Sequence, residues 1–326
     1  MARENHPAAG RAGLIVNPRS GRGSGKGLAL AERLKRAPGV MLGVLDRFEE
    51  IGAVLDGMAR GGVTDLFISS GDGTIQEILT RIAEDRLFAS PPRLGLLPHG
   101  TTNLSARDLG FRARSVEAQA QFIESLAASD LQQRHTIRCA NPGDGRIRHG
   151  MFVGTGAVAL ATRYCQQAFN ARGVRGQWAV AGTLLTALRK YLLSAPDAAD
   201  ESRFDRPHAI TVEAGGRRLC EGPQLLQMST TLDRLVLDAR PFWGGKTAPI
   251  RTTVFPYPVP SVARWMLPAM YGGEGRRMPS GAVSFCAEAL SVSSDTIFVI
   301  DGEFFPPPPG EPLRLETGPL FTFVRG

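Results

Sequence analysis

Asp72 is the residue whose position asks for a chemical reason. It lies in Phe67-Ile68-Ser69-Ser70-Gly71-Asp72-Gly73-Thr74-Ile75-Gln76-Glu77. The apolar run Leu66 to Ile68 reads as a buried parallel strand. Ile75, Ile78, Leu79 and Ile82 then share one face of a helix. The tight turn between them contains Gly71 and Gly73, which let the backbone pass close to a ligand with its N–H groups outward. The helix start adds partial positive charge. Such a turn suits a phosphate group. An acid inside it has three available tasks: to orient the loop, to hold water around a metal ion, or to accept a proton.

Two further loops of this kind follow short apolar runs. Gly13 to Val16 leads into Asn17-Pro18-Arg19-Ser20-Gly21-Arg22-Gly23-Ser24-Gly25-Lys26, basic and glycine-rich. It is not a Walker A loop, because Ser20 and Gly27 stand where Gly and Ser or Thr are needed. It is not GxGxxG either, because Lys26 takes the third glycine's place. A flexible linker has similar composition, but the position directly after a strand favours anion contact, with Arg22 and Lys26 offsetting phosphate charge. Leu94 to Leu97 leads into Pro98-His99-Gly100-Thr101-Thr102-Asn103-Leu104-Ser105-Ala106-Arg107-Asp108-Leu109-Gly110. His99 there reads as a plain loop residue. Far downstream, Asp301-Gly302-Glu303 follows a run ending at Ile300. Residues i and i+2 of a strand face the same side, which would point both carboxylates one way. Taken alone, Asp-Gly is also an ordinary hairpin turn.

The elements that must hold these loops alternate. Strands are expected at 13–16, 40–45, 66–68 and 94–97, and helices at 28–34, 51–58 and from the Gly-Asp-Gly-Thr turn to about 82. That alternation predicts a parallel α/β sheet, and ligands bind at the strand C-terminal edge of such sheets. After about residue 135 the segments become short and strand-like, as in an antiparallel sandwich. A helical stretch from 154 to about 193 and another at 261–271 interrupt them. Pro306 to Pro309 forms a stiff connector.

The chain has 326 residues, enough for two domains. It is 43% hydrophobic and 21% charged, with a net charge of +7 and a pI near 9.7, which implies attraction to anions. Basic residues are not interleaved with aromatics, so no nucleic-acid partner is expected. Cys139, Cys165, Cys220 and Cys286 are too scattered for a zinc or redox motif and suit reduced thiols of a cytoplasmic protein. Residues 1–12 read as a loose leader without the apolar core of a signal peptide. No apolar run is long enough to span a membrane.

Asn17-Pro18, Ser70-Gly71-Asp72-Gly73-Thr74 with Glu77, Pro98-x-Gly100-Thr101-x-Asn103 with Ala106-Arg107, and the late Asp301-Gly302-Glu303 occur in one order and spacing. In this the chain resembles the diacylglycerol kinase catalytic-domain family, which includes bacterial soluble lipid kinases and the sphingosine and ceramide kinases. The motifs cover roughly 13–110, with the acid pair anchoring the other end.

The resemblance implies a nucleotide-binding α/β domain of the NAD-kinase and phosphofructokinase type over 13–134. It implies a β-sandwich lipid-substrate domain over 135–305, a segment 306–326 returning toward the first domain, and an active site in the interdomain cleft. It implies ATP and Mg²⁺, held through Asn17, Ser70, Gly71, Asp72, Gly73, Thr74, Ile75, Gln76, Gly100, Thr101 and Asn103. The acceptor would be a lipid alcohol: diacylglycerol, ceramide or a sphingoid base. Glu303, Asp301 and Asp72 are the candidate proton acceptors, with Glu303 favoured. Relatives hold a structural magnesium in a loop that here corresponds to Leu232–Lys246, but Asp233 and Asp238 fit it poorly and no metal ligand is assigned.

Other readings remain open: an NAD or sugar kinase, which shares the Gly-Asp-Gly-Thr type of turn, or a non-catalytic nucleotide- or lipid-binding protein. A homodimer is an allowed assembly. The sets Trp178, Leu184, Leu185, Leu188, Tyr191, Leu192 and Trp265, Met266, Leu267, Met270, Tyr271 have helical spacing. They fit core packing or peripheral contact with an anionic membrane surface.

Overall fold

The computed structural model describes residues 10–20, 24–100, 103–126, 130–170, 177–193, 200, 203–259 and 261–325. It divides into two units, Met1–Gln133 with Phe321–Gly326, and Arg134–Leu320.

In the first unit β1 (Ala12–Val16), α1 (Ser24–Leu34), β2 (Val40–Val44), α2 (Ile51–Arg60), β3 (Asp65–Ser70), α3 (Asp72–Glu84) and β4 (Arg93–Pro98) alternate. Two helices that the apolar pattern does not predict follow, α4 (Leu104–Leu109) and α5 (Val116–Ser125). The parallel order is β4-β3-β1-β2. β1 and β3 are buried at every residue, as strands covered on both faces must be. Leu30 and Leu34 of α1 and Ala120 and Ile123 of α5 pack on Leu14, Val16 and Phe67, while α2 and α3 pack on each other. β1 connects to β2 on one side, and β3 lies on its other side. The sheet therefore has its topological switch at the C-terminal ends of β1 and β3, where a crevice for ligands forms.

The second unit is largely antiparallel. It contains β5 (Leu131–Cys139), β6 (Arg148–Gly150), β7 (Phe152–Gly156), α6 (Ala157–Tyr164), a π-helical stretch Cys165–Asn170 and α7 (Gln177–Leu193). β8 (His208–Ala214), β9 (Arg217–Cys220), β10 (Pro223–Thr230), β11 (Ile250–Pro256), α8 (Val262–Tyr271), β12 (Val283–Ala287), β13 (Ala289–Ser294), β14 (Phe298–Ile300) and β15 (Glu303–Phe305) follow. β16 (Leu313–Val324) closes the chain, and its last residues pair in parallel with β4 through Phe323 and Leu94. One ladder runs β12-β11-β10-β7-β14-β15 and another joins β9, β8, β13, β16, β5 and β6. Val153, Ile250 and Phe298 from the first ladder meet Ile137, Val212, Leu290 and Leu315 from the second in one core.

Candidate functional site

Three loops meet at the switch point of the first unit. A Cβ built on Gly100 would lie 2.5 Å from Gly71 Cα and 3.0 Å from Ser70 O, and one on Gly71 would lie 3.7 Å from Ser20 Cβ. Only glycine allows that approach at position 100. Asn17 ties the first loop to the second: its amide donates to Thr74 Oγ1 at 2.8 Å, and its backbone N–H donates to Ser69 O at 3.1 Å. The Asn17 side-chain oxygen accepts from Arg19 N, and Ser20 closes the turn on Asn17 O.

The turn after β3 is shorter than its sequence suggests. Gly71 alone is extended, and α3 begins at Asp72. An acid in the first turn opposes the positive helix end, which favours that early start. The first-turn N–H groups are those no earlier turn of the helix can accept. Ser70 Oγ is buried with no hydrogen-bond partner among the described residues. A buried hydroxyl without a partner is costly, and this one belongs to the residue just before Gly71.

Asp72 is buried and points away from a free role. Its carboxylate accepts from Leu104 N at 3.2 Å and Ser105 N at 3.4 Å, so it caps α4. Asn103, left-handed at φ 52°, closes the third loop: its Oδ1 accepts from Gly100 N and its Nδ2 donates to Gly100 O, both at 2.8 Å. Its amide therefore shapes the loop rather than facing outward. Gln76 is buried, and Glu77 pairs with Arg81 at 2.8 Å. Ile75 is core. Thr101 and Arg22 lie outside the described residues.

His99 is not a plain loop residue. It is buried, and its Nδ1 lies 2.8 Å from Ser69 Oγ. Burial, aided by the nearby Lys26 charge, pushes its pKa down to about 4, so the imidazole is neutral near pH 7. Gly27 explains the failure of the Walker pattern, since a Cβ there would lie 2.2 Å from Ser69 Oγ. A side chain there would have to displace the Ser69 hydroxyl, and with it the contact to His99. Neither relation leaves a signal in the sequence beyond the paired serines at the strand end.

In the second unit the acid pair does not sit on one strand. β14 and β15 form a hairpin whose two turn residues, Asp301 and Gly302, have φ of 47° and 93°. This is the left-handed two-residue connection that Asp-Gly favours. The expected i, i+2 alignment fails because a turn residue is not part of the pleat. Asp301 is buried, and its carboxylate accepts from Met151 N at 3.0 Å and Phe152 N at 2.9 Å. Glu303 is exposed, with no partner for its carboxylate among the described residues. Gln166 donates to Gly302 O at 2.8 Å.

No group of three or more His, Cys, Asp and Glu among the described residues is arranged to hold a metal ion. In the 232–246 loop Asp233 instead faces cations: Arg134 at 2.6 Å, Lys246 at 3.3 Å and Arg251 at 3.4 Å. Burial works against its ionisation. The Arg134 hydrogen bond and the three positive charges prevail and hold the carboxyl below the usual range.

Residues 11–135 match the family model of the diacylglycerol kinase catalytic domain, so the resemblance read from the motifs holds for that segment. No curated protein matches the chain. Among solved structures the chain is similar to a provisionally assigned diacylglycerol kinase from Bacillus anthracis str. Sterne, at 16% identity and a TM-score of 0.64. It is also similar to the crystal structure of a diacylglycerol kinase from that strain, at 16% identity and a TM-score of 0.59. Each likeness covers 97% of both chains. At this identity they establish the fold.

Proposed function

We propose that this chain, whose residues 11–135 match a diacylglycerol kinase catalytic domain, is an ATP-dependent lipid kinase that phosphorylates the hydroxyl of a lipid alcohol. The observation that carries this reading is the glycine-to-glycine contact of the 70–74 and 98–103 loops at the switch point, with Ser70 Oγ unpartnered beside it. An extended phosphate chain needs such a close backbone surface. Diacylglycerol, ceramide and sphingoid bases are the acceptors to test.

Phosphoryl transfer is chiefly positioning and charge stabilisation. In this reading the first turn of α3 presents backbone N–H groups to the ATP phosphates, and Ser70 Oγ gains its partner. Lys26, exposed on α1, offsets phosphate charge. Mg²⁺, if bound with ATP, would offset phosphate charge, and no side chain among the described residues is assigned to hold it. Asp72 and Asn103 position the loops. Glu303 takes the acceptor's hydroxyl proton, since its carboxylate is exposed, while Asp301 fixes the hairpin that carries it. Residues 13–134 are the nucleotide-binding part and 135–305 the lipid-substrate part.

The test is transfer of labelled γ-phosphate from ATP to a panel of lipid alcohols, with NAD alongside. Labelled lipid phosphate is expected. Label on NAD alone would make the chain an NAD kinase, and nucleotide binding without transfer to any acceptor would make it a binding protein.

A further inference from the structure

The Asp-Gly turn between β14 and β15 is held from two sides. At its first residue the Asp301 carboxylate accepts from Met151 N and Phe152 N. At its second, the Gly302 carbonyl accepts from Gln166 Nε2 at 2.8 Å. In a two-residue hairpin the turn carbonyls take no part in the ladder, so Gly302 O needs a partner from elsewhere. Gly302 has φ 93° and no side chain to anchor it. Its carbonyl belongs to the peptide bond that enters Glu303. The Gln166 amide therefore grips the chain one bond before that acid.

Gln166 comes from an irregular element. It is the second residue of the π-helical stretch Cys165–Asn170 that continues α6. Val158, Thr162 and Gln166 are spaced i, i+4, i+8 and share a helix face. That face lies against the strands. A Cβ on Gly154 of β7 would come within 2.7 Å of a Val158 methyl carbon, and α6 packs on both β7 and β14. π turns are rare and gather at functional sites. Here the adjacent Cys165 hydrogen-bonds Thr183 of α7. Thr183 lies on the inner stripe of α7 with Ala179 and Ala187; Ala179 and Thr183 are buried, and Ala187 packs on the Leu160 and Phe204 cluster. Two neighbouring residues of the π stretch thus fix α7 and the Asp-Gly turn to one element.

We propose that Gln166 is a positioning residue for phosphoryl transfer: by holding the Gly302 carbonyl it sets where the Glu303 carboxylate starts. The inference rests on the proton-accepting role proposed above for Glu303. A base must lie within hydrogen-bond reach of the proton it takes. The Glu303 side chain is exposed and has no partner among the described residues, so its backbone is what limits its reach. A displacement of about 1 Å at a reacting group can slow a reaction on the order of a hundred-fold. The residue type fits the task. Gln offers an N–H donor without charge. A Lys or Arg at this position would draw the nearby carboxylate into an ion pair and lower its basicity. Asn, one methylene shorter, would fall short of the carbonyl.

The test is a double-mutant cycle on phosphate transfer from ATP to a lipid alcohol, with the full chain as wild type, Q166L, E303Q and Q166L/E303Q. Q166L keeps the size and removes the donor. It should lower kcat about ten-fold and leave KM for ATP and for the acceptor within about two-fold. In the E303Q background the same change should lower kcat by less than about two-fold, because the base it positions is gone. Q166E sets a negative charge near Glu303, so the acid limb of its pH–rate profile should move to higher pH. Hydrogen exchange over residues 301–305 should be faster in Q166L, while circular dichroism and the unfolding midpoint stay in place. Near-native turnover in Q166L overturns the proposal. So does an equal loss in both backgrounds, which would make Gln166 a general structural residue, or an acid limb that Q166E leaves unmoved. A wild type that transfers no phosphate fails the kinase reading instead. Hydrogen exchange then judges Gln166 separately: faster exchange in Q166L keeps it as the residue that holds this turn, and unchanged exchange removes it.

Discussion

Protonation of His99 should destabilise the first unit. The imidazole is 4% exposed, with Nδ1 2.8 Å from Ser69 Oγ and the Lys26 charge nearby. Burial first, then Lys26, lowers its pKa from the ordinary 6.5 to about 4. With the folded value below the unfolded one, the unfolded chain takes up the proton first as pH falls. The native state therefore keeps this contribution in full above about pH 6.5 and loses it progressively down to about pH 4. A tenfold change in proton affinity is worth about 1.4 kcal/mol, so the loss across this window is on the order of 2–3 kcal/mol. Urea unfolding at about pH 7.5 and about pH 4.5 measures the loss. His99→Asn is the reference, because its amide can still reach Ser69 and does not titrate. The difference between the two proteins cancels the carboxylates and His208, whose pKa burial also lowers. The wild type should lose more than the variant by that margin. Equal losses, or an NMR titration of His99 centred near 6.5, would refute the reasoning. Added ATP should raise the His99 pKa, because phosphate charge offsets Lys26.

Asp301→Asn should lower stability by roughly 2–3 kcal/mol, since a buried NH2 group would face the Met151 or Phe152 donors; chemical denaturation reads this. Glu303→Gln should leave the unfolding midpoint in place and lower phosphoryl transfer by about two decades or more; a folded variant with near-native turnover would remove Glu303 from the mechanism. Asp72→Asn should cost about 1–2 kcal/mol through the α4 cap and weaken nucleotide binding with it, read by calorimetry. Gly100→Ala should abolish measurable ATP binding, because its Cβ would lie 2.5 Å from Gly71 Cα; unaltered affinity would mean that the two loops do not jointly hold the phosphates.

The sequence makes the parallel strands and the glycine-rich loops after them legible for a local reason. β1, β3 and β4 are short apolar runs ending in glycine, serine and asparagine, and both signals lie within a few residues. What escapes it is decided by distant partners. Asp301 finds its amides on Met151 and Phe152, and Asp72 finds its own on Leu104 and Ser105. No periodicity announces either pairing. α4 and α5 escape because α4 spans only six residues, and α5 buries just Gln119, Ala120 and Ile123. α7 misleads in the opposite sense. Its apolar residues have helical spacing, so they suggest a core, yet the buried face is the alanine and threonine stripe. A hydrophobic pattern shows that a helix has an apolar side. It does not show what that side meets.

The same distinction bears on the proposed roles of the three acids. By motif, Asp72, Asp301 and Glu303 are equal candidates for the proton. Two of them already accept backbone N–H groups in buried surroundings, and to take a substrate proton either would have to give those bonds up. Leaving a buried donor unsatisfied costs about 1–3 kcal/mol, and about 1.4 kcal/mol added to a barrier slows it ten-fold. Glu303 carries no such penalty: it opens β15, is exposed, and has no partner to lose among the described residues. Asp301 anchors the Asp-Gly turn that sets where β15, and with it Glu303, begins. A base that must move is better placed at the open end of a hairpin than locked beneath it, and the proposed roles of the two acids flanking Gly302 follow that line.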